Sequence, residues 1–366
     1  MRSITDLAKL TEELVRHVGD PKKVAASEPY PVNTYRELVS HVAQLAYKNK
    51  DYLLFYRGQH HDYRNKGGSS TFYPSIYRDD PLARAELRTR FDTLSGAEDL
   101  LAQQFAEARF TGAQEITRKK YVRWSILQHY EVCRTPLLDF THSIRVGCSF
   151  AVNENTEGLA CFFVFGLPYI TNRISINSEH DLVNVRLLSI CPPTALRPYF
   201  QEGYLAGTED ITADYQSKTE LDFNNRLIAK FSFRNDHSFW GADFSPIPST
   251  AIYPEHDDVR EICLGIKEQA EKQLHSGTYG EFLRMWAAVE QSIVQRASDK
   301  THRLTARQAI ILLQKQGLLN DELAFRLDRI RKFRNQLVHN PASVRVADVP
   351  EMLEQLTALQ SEIRFF

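Results

Sequence analysis

Apolar positions recur at helical spacing over residues 4–17 and again over 33–47, where Leu38, Val42 and Leu45 fall at intervals of four and three. The period then breaks. Leu53, Leu54, Phe55 and Tyr56 form a continuous apolar run that predicts a short buried strand, and Arg57 and Gly58 come where that strand should end. A polar loop with two adjacent glycines, NKGGSST (65–71), follows. Residues 81–131 return to helical texture and close in WSILQHY. From there to residue 275, short apolar runs alternate with turn signals: TPLLDFTHS, GLACFFVFGL, VNVRLLSICPP, RLIAKFSF and IPSTAIYP. This is α+β material. SGTYG marks a joint, and beyond 276 the texture is helical throughout. Phe282, Trp286, Val289 and Ile293 make one stripe; Leu323, Leu327, Ile330, Phe333 and Leu337 make another. The last quarter is therefore expected to be a small antiparallel four-helix bundle.

Composition narrows the function classes. The 366 residues leave room for about two domains. A balance of 45 Lys and Arg against 46 Asp and Glu argues against a sequence-blind nucleic-acid binder, which carries a large basic excess, but leaves room for a local basic groove. The first twenty residues have no apolar core of a signal peptide, and GLACFFVFGL (158–167) is far shorter than a bilayer span. Five scattered cysteines form no CxxC pair, which suits a reducing compartment and gives no metal spacing. A cytoplasmic chain with no membrane partner and no metal is expected.

Three segments hold the candidate chemistry: FYRGQ (55–59), LQHYEVCRTPLLDFTHSIRVGCSFAV (127–152) and RPYFQEGYLAGT (197–208). An arginine at a strand end can grip an anion through two parallel hydrogen bonds, and a glycine beside it admits a ligand without a Cβ in the way. Plainer readings stand alongside. Arg57 could be a structural partner of Asp139, and Asp139 an N-cap for a helix starting near Ser143. His129 could simply be packed, Glu202 solvated, and Gly203 a turn residue.

In these segments the chain resembles the FRG domain, a bacterial family named for its Phe/Tyr-Arg-Gly motif. Gln128, His129, Tyr130, Pro136, Leu137, Leu138, Asp139, Phe140 and Thr141 match its second block. Glu131 stands where that block has glycine, Thr135 and Pro136 are transposed, and Phe140 replaces tryptophan. Gln201-Glu202-Gly203 is similar to its third element. The order of motifs also resembles arginine-class mono-ADP-ribosyltransferases, with Asp139-Phe140-Thr141 in place of their serine-centred triplet. That resemblance implies a split β-sheet and NAD as substrate. It implies catalytic roles for Arg57, Asp139, Thr141, Gln201 and Glu202, with Tyr56, Arg57, Gly58, His129 and Tyr130 binding the cofactor. Cleaving the nicotinamide–ribose bond passes through an oxocarbenium-like ribose, which a carboxylate such as Glu202 would stabilise.

The helix-like RIRKFRNQLVHNP (329–341) carries Arg334, Asn335 and His339. It resembles the Arg-x4–6-His motif of HEPN domains, helical bundles that often dimerise and many of which are metal-independent ribonucleases. Asn335 and His339 share a helix face, whereas Arg334 projects well away from His339, so the pair would converge across a dimer axis. The plainer alternative is a capped helix end.

These readings give an N-terminal helical segment over 1–29, an FRG or ADP-ribosyltransferase-like α+β domain over 30–275, and a HEPN-like bundle over 276–366. The implied function is an NAD-dependent ADP-ribosyltransferase-like effector, of bacterial toxin or antiphage kind by analogy. Its acceptor is an unidentified protein or nucleic acid, and it homodimerises through the bundle. The alternatives are a HEPN ribonuclease with the FRG domain as nucleotide sensor, and a non-enzymatic ligand-gated dimeric interaction protein.

Overall fold

The fold comes from a computed structural model, which describes residues 1–78, 82, 84–108, 113–192, 195–209, 215, 217–276, 278–297, 304–339, 344 and 348–363. The chain divides into two compact units. One takes residues 1–78 and 97–264, the other 79–96 and 265–366. No helix among the described residues is long and apolar enough to cross a membrane.

The first unit is built on β1 (Tyr30–Pro31), β2 (Leu53–Gln59), β3 (Leu138–Thr141), β4 (Leu159–Leu167), β5 (Ile174–Asn177), β6 (Leu182–Arg186), β7 (Gly203–Thr208) and β8 (Leu227–Arg234). Among the described residues these form one mixed sheet in the order β1-β8-β4-β2-β3-β7-β6-β5, with β1 parallel to β8 and the other neighbours antiparallel. The run GLACFFVFGL is continuous in apolar residues because β4 lies in mid-sheet, with every residue but Leu159 buried. Phe162, Phe163 and Phe165 of β4 and Phe231 and Phe233 of β8 are among the largest fully buried side chains. Ile4, Leu10, Leu14 and Val24 join the same core, so the N-terminal segment packs into this unit.

The expected split sheet needs correcting. The strands form one sheet, but its two four-stranded halves meet at a single backbone bridge, Tyr56↔Thr141. β2 pairs with β4 along its full length, from Leu53↔Leu167 to Gln59↔Cys161. β3 pairs with β7 along its own, from Leu138↔Ala206 to Thr141↔Gly203. Beyond the bridge, β2 and β3 part company. β2 also does not stop at Tyr56: Arg57, Gly58 and Gln59 remain in the strand, held by β4 on one edge.

The long helical stretch resolves into helices Arg84–Glu107, Ala113–Arg118 and Lys120–His129. Helix Ile144–Val152 follows β3 directly, and Ser143 is its N-cap, accepting from the backbone N–H of Val146. IPSTAIYP, which reads as an apolar run between turns, becomes a short helical turn, Ser249–Ile252.

The second unit is helical. Thr278–Ala297, Ala306–Lys315, Asp321–His339 and Asp348–Ile363 are its main helices after 276, and Thr305 opens the second with a reciprocal capping box. The two sequence stripes share one core, in which Phe282, Trp286, Leu327 and Ile330 are at most 1% exposed. Recruitment of residues 79–96 to this unit has no counterpart in the apolar pattern.

Candidate active site

Where β2 and β3 diverge, a cleft of about 580 Å³ opens, a size that suits a small-molecule ligand. Its floor comes from Tyr56–Gln59 on β2 and Leu138–Thr141 on β3. The end of helix Lys120–His129 adds Gln128 and His129; Arg78, Arg197, Gln201 and Tyr253 complete much of the wall.

Arg57 bridges the gap between the separating strands. Its Nη1 donates to the backbone carbonyl of Asp139 at 2.8 Å, supplying β3 with a donor at the point where the β2 backbone has turned away. Its Nε is buried without a partner. Burial pulls this guanidinium down to about 10, against the raising effect of Asp139, so it is cationic at neutral pH.

Asp139 is the central carboxylate. Gln128 Nε2 donates to its Oδ2 at 2.7 Å, and His129 Nδ1 lies 3.9 Å from its Oδ1. Burial pushes the carboxyl up, but His129, the positive charge of Arg57 and the Gln128 amide outweigh it and hold it below the usual carboxylate range. The helix-cap role belongs to Ser143, which leaves the Asp139 side chain to the cleft, where it is 39% exposed.

Of the other sequence candidates, Tyr56, Gly58, His129, Thr141 and Gln201 also line the cleft. Several of them are committed elsewhere. The Thr141 hydroxyl donates to the Gln201 carbonyl at 2.9 Å, and the Gln201 amide donates to the Ile252 carbonyl at 2.9 Å. Tyr56 stacks on Phe162 with ring centroids 5.4 Å apart, and burial raises its phenol to about 12. The reason for Gly58 differs from the expected one. A Cβ there would overlap the Gly147 carbonyl oxygen and sit 2.8 Å from the Ala151 nitrogen. The glycine is needed for helix Ile144–Val152 to lie on β2, whatever the cleft holds.

Two candidates fall outside the lining. Tyr130 turns its hydroxyl onto Asp257 at 2.7 Å, and Asp257 also takes the backbone N–H groups of Leu196 and Arg197. Glu202, the expected catalytic carboxylate, is exposed and absent from the cleft wall. It occupies a left-handed turn, φ 45°, between the short helix Leu196–Phe200 and β7, which directs the chain so that Gln201 is buried and Glu202 solvated.

Glu131 stands in a left-handed backbone conformation. Its φ is 56°, a conformation glycine adopts freely and other residues only at a cost. Here its side chain accepts from Arg197 Nη2 at 2.9 Å. Arg197 is itself 8% exposed and lies over the ring of Tyr253, 4.6 Å from its centroid. Arg197 and Gln128 lie within the candidate segments but carry no site role in the sequence reading; Tyr253 belongs to the apolar run IPSTAIYP, which bears no motif.

In the bundle, Arg334 is buried, at 3% exposed. Its Nη1 donates to Asn335 Oδ1 at 3.1 Å, its Nε is buried unpartnered, and Glu290 and Asp92 supply opposing charge, with burial as the main effect lowering its pKa. Glu290 in turn accepts from Trp286 Nε1 at 2.9 Å. The backbone of His339 ends helix Asp321–His339, while its side chain lies outside the described residues.

No curated protein and no solved structure matches the chain. A family model does: that of the FRG domain matches residues 52–158, the stretch that carries Arg57, Gln128, His129 and Asp139 into one cleft.

Proposed function

We propose that the cleft binds NAD and cleaves its nicotinamide–ribose bond, an ADP-ribosyltransferase-like activity in which Asp139, rather than Glu202, is the charge-bearing carboxylate. One observation carries this reading: an accessible carboxylate, held ionised by Arg57, Gln128 and His129, at the floor of a ligand-sized cleft. An oxocarbenium-like ribose develops positive charge as nicotinamide leaves, and an anion fixed before the reaction stabilises it without reorganising. Arg57 has a second task here. Besides fastening β3 it brings a cation to the same wall, suited to a phosphate oxygen of the dinucleotide. The acceptor of ADP-ribose is a macromolecule or water.

Because the Asp139 carboxyl sits below its ordinary value, its favourable interactions are present above that value and are lost as pH falls through the lower, folded one. Nicotinamide release is therefore expected to show no Asp139-dependent limb between about pH 5 and 8. The deciding experiment is mass spectrometry of NAD incubated with the full chain, alone and with cell extract. Free nicotinamide from the wild type, lost in a folded Asp139→Asn variant, supports the reading. NAD left intact in both, with or without extract, overturns it.

The ribonuclease alternative has weaker support, since Arg334 is enclosed by its own bundle and holds Asn335 and acidic neighbours in place of a phosphodiester.

A further inference from the structure

Asp139 is gripped unequally by its two neighbours. Oδ2 receives a short hydrogen bond from Gln128, whereas Oδ1 faces His129 Nδ1 across 3.9 Å, beyond hydrogen-bond length. Oδ1 is thus the oxygen with capacity to spare for a ligand. Gln128 and His129 reach the same carboxylate from consecutive positions, whose side chains diverge by about 100° around the helix, so they hold it from different directions.

Gln128 is in turn fixed from behind. Its Oε1 accepts from Thr135 Oγ1 at 2.5 Å and from Ser75 Oγ at 3.3 Å. Thr135 is fully buried, its N–H donates to Ser75 Oγ at 2.9 Å, and its carbonyl accepts the N–H of Ile76 at 3.1 Å. A glutamine amide can reverse end for end about its last bond. Here reversal would set its carbonyl oxygen against a carboxylate, a pairing of two acceptors with no proton between them. With an anion at one end and the Thr135 hydroxyl donating at the other, while Ser75 shares its one proton between Gln128 Oε1 and the Thr135 carbonyl at 3.3 Å each, the orientation seen is the preferred one.

We propose that Gln128 is a positioning residue of the cleft: locked by Thr135 and Ser75, it occupies Oδ2 of Asp139 and so presents Oδ1 to a ribose hydroxyl of the ligand. The inference rests on the reading of the cleft as an NAD-cleaving site, but its physical core does not. The charged or titratable groups shown to act on Asp139 include Arg57 from β2, His129 from the same helix end and Tyr253 from the segment after β8, and Arg78, Glu131 and Arg197 line the same cleft. None of the first three contacts Oδ2 within hydrogen-bond distance, so the Gln128 bond is separable from theirs.

The test uses the full chain with ¹³C-labelled aspartate carboxyls, the Asp139 resonance being assigned by its loss in Asp139→Asn. Gln128→Met keeps the length of the side chain and removes the donor. The Asp139 titration midpoint should rise by about one unit, the usual scale for losing a hydrogen bond to a charged group. Thr135→Val, which frees the amide to turn, should move it in the same direction by less, and serves if the first variant does not fold. In NAD cleavage, Gln128→Met should lower kcat about tenfold or more while KM stays within about twofold, since a misplaced carboxylate is felt mainly in the transition state. An unchanged Asp139 midpoint in folded Gln128→Met and Thr135→Val overturns the proposal. A shifted midpoint in a protein that releases no nicotinamide upholds the positioning of Asp139 and removes the NAD-cleaving reading instead.

Discussion

Arg57 and Arg334 each follow an aromatic residue or lie within one turn of one, each is lowered in pKa by burial, and each has a buried Nε with no partner. Their surroundings differ in one decisive respect. Arg57 stands where two strands separate, so the same geometry that deprives β3 of a backbone partner leaves a cavity beside the guanidinium. Arg334 stands on a helix packed on both sides. Its partners are Asn335 and the opposing charges of Glu290 and Asp92, and it is only 3% exposed. A buried cation is a candidate for ligand binding when the fold leaves a void at its free face; when the fold supplies the counter-charge itself, the cation is part of the packing.

The largest effect that would sharpen this contrast is kinetic. Asp139→Asn keeps the shape of the cleft floor and removes its charge, and should slow nicotinamide release by about 10²–10³-fold, the usual cost of losing a preorganised electrostatic stabiliser. Residual release within tenfold of wild type would show that the cleft's carboxylate is not the catalytic one. Next comes Arg334→Met, which deprives Glu290 and Asp92 of their cation. A loss of about 2 kcal/mol in urea unfolding is expected, below the full value for a buried pair because the partners are partly solvated. NAD turnover per folded molecule should not change. If RNA cleavage by the wild type is found and vanishes in this variant without loss of stability, the bundle is the catalytic unit and the contrast is reversed.

Arg57→Lys tests the cleft's cation more gently. Lysine keeps the charge but not the planar fork that reaches both the Asp139 carbonyl and a ligand, so KM for NAD should rise by about tenfold with a smaller fall in kcat. An unchanged KM would assign Arg57 to the strand junction alone. The smallest effect concerns Glu202. Glycine at this left-handed position should relieve about 1 kcal/mol of backbone strain, raising the thermal midpoint by a few degrees, with nicotinamide release within about twofold of wild type. A tenfold loss of release in Glu202→Gly would return the catalytic carboxylate to where the motif order alone suggested.

Much of this molecule can be read from neighbouring residues. Apolar period separates the strand-bearing stretch from the helical tail, because a helix or a buried strand is specified by which positions face the core, and the stripes at 282–293 and 323–337 do share one core. The motifs around Arg57, Gln128 and Asp139 are local strings too, and they converge. The structure decided what no local string contains. β2 and β3 meet at Tyr56 and Thr141 and then separate, a matter of register between segments more than 80 residues apart, and that separation makes the cleft. Gly58 answers to a helix that begins far downstream. Glu202 is turned to solvent by one left-handed residue, and Arg334 is turned inward by the packing of its helix. Residue type and spacing fix which groups a chain can offer; the sign of a turn, the register of a strand pair and the space left after packing fix which of them a ligand can reach.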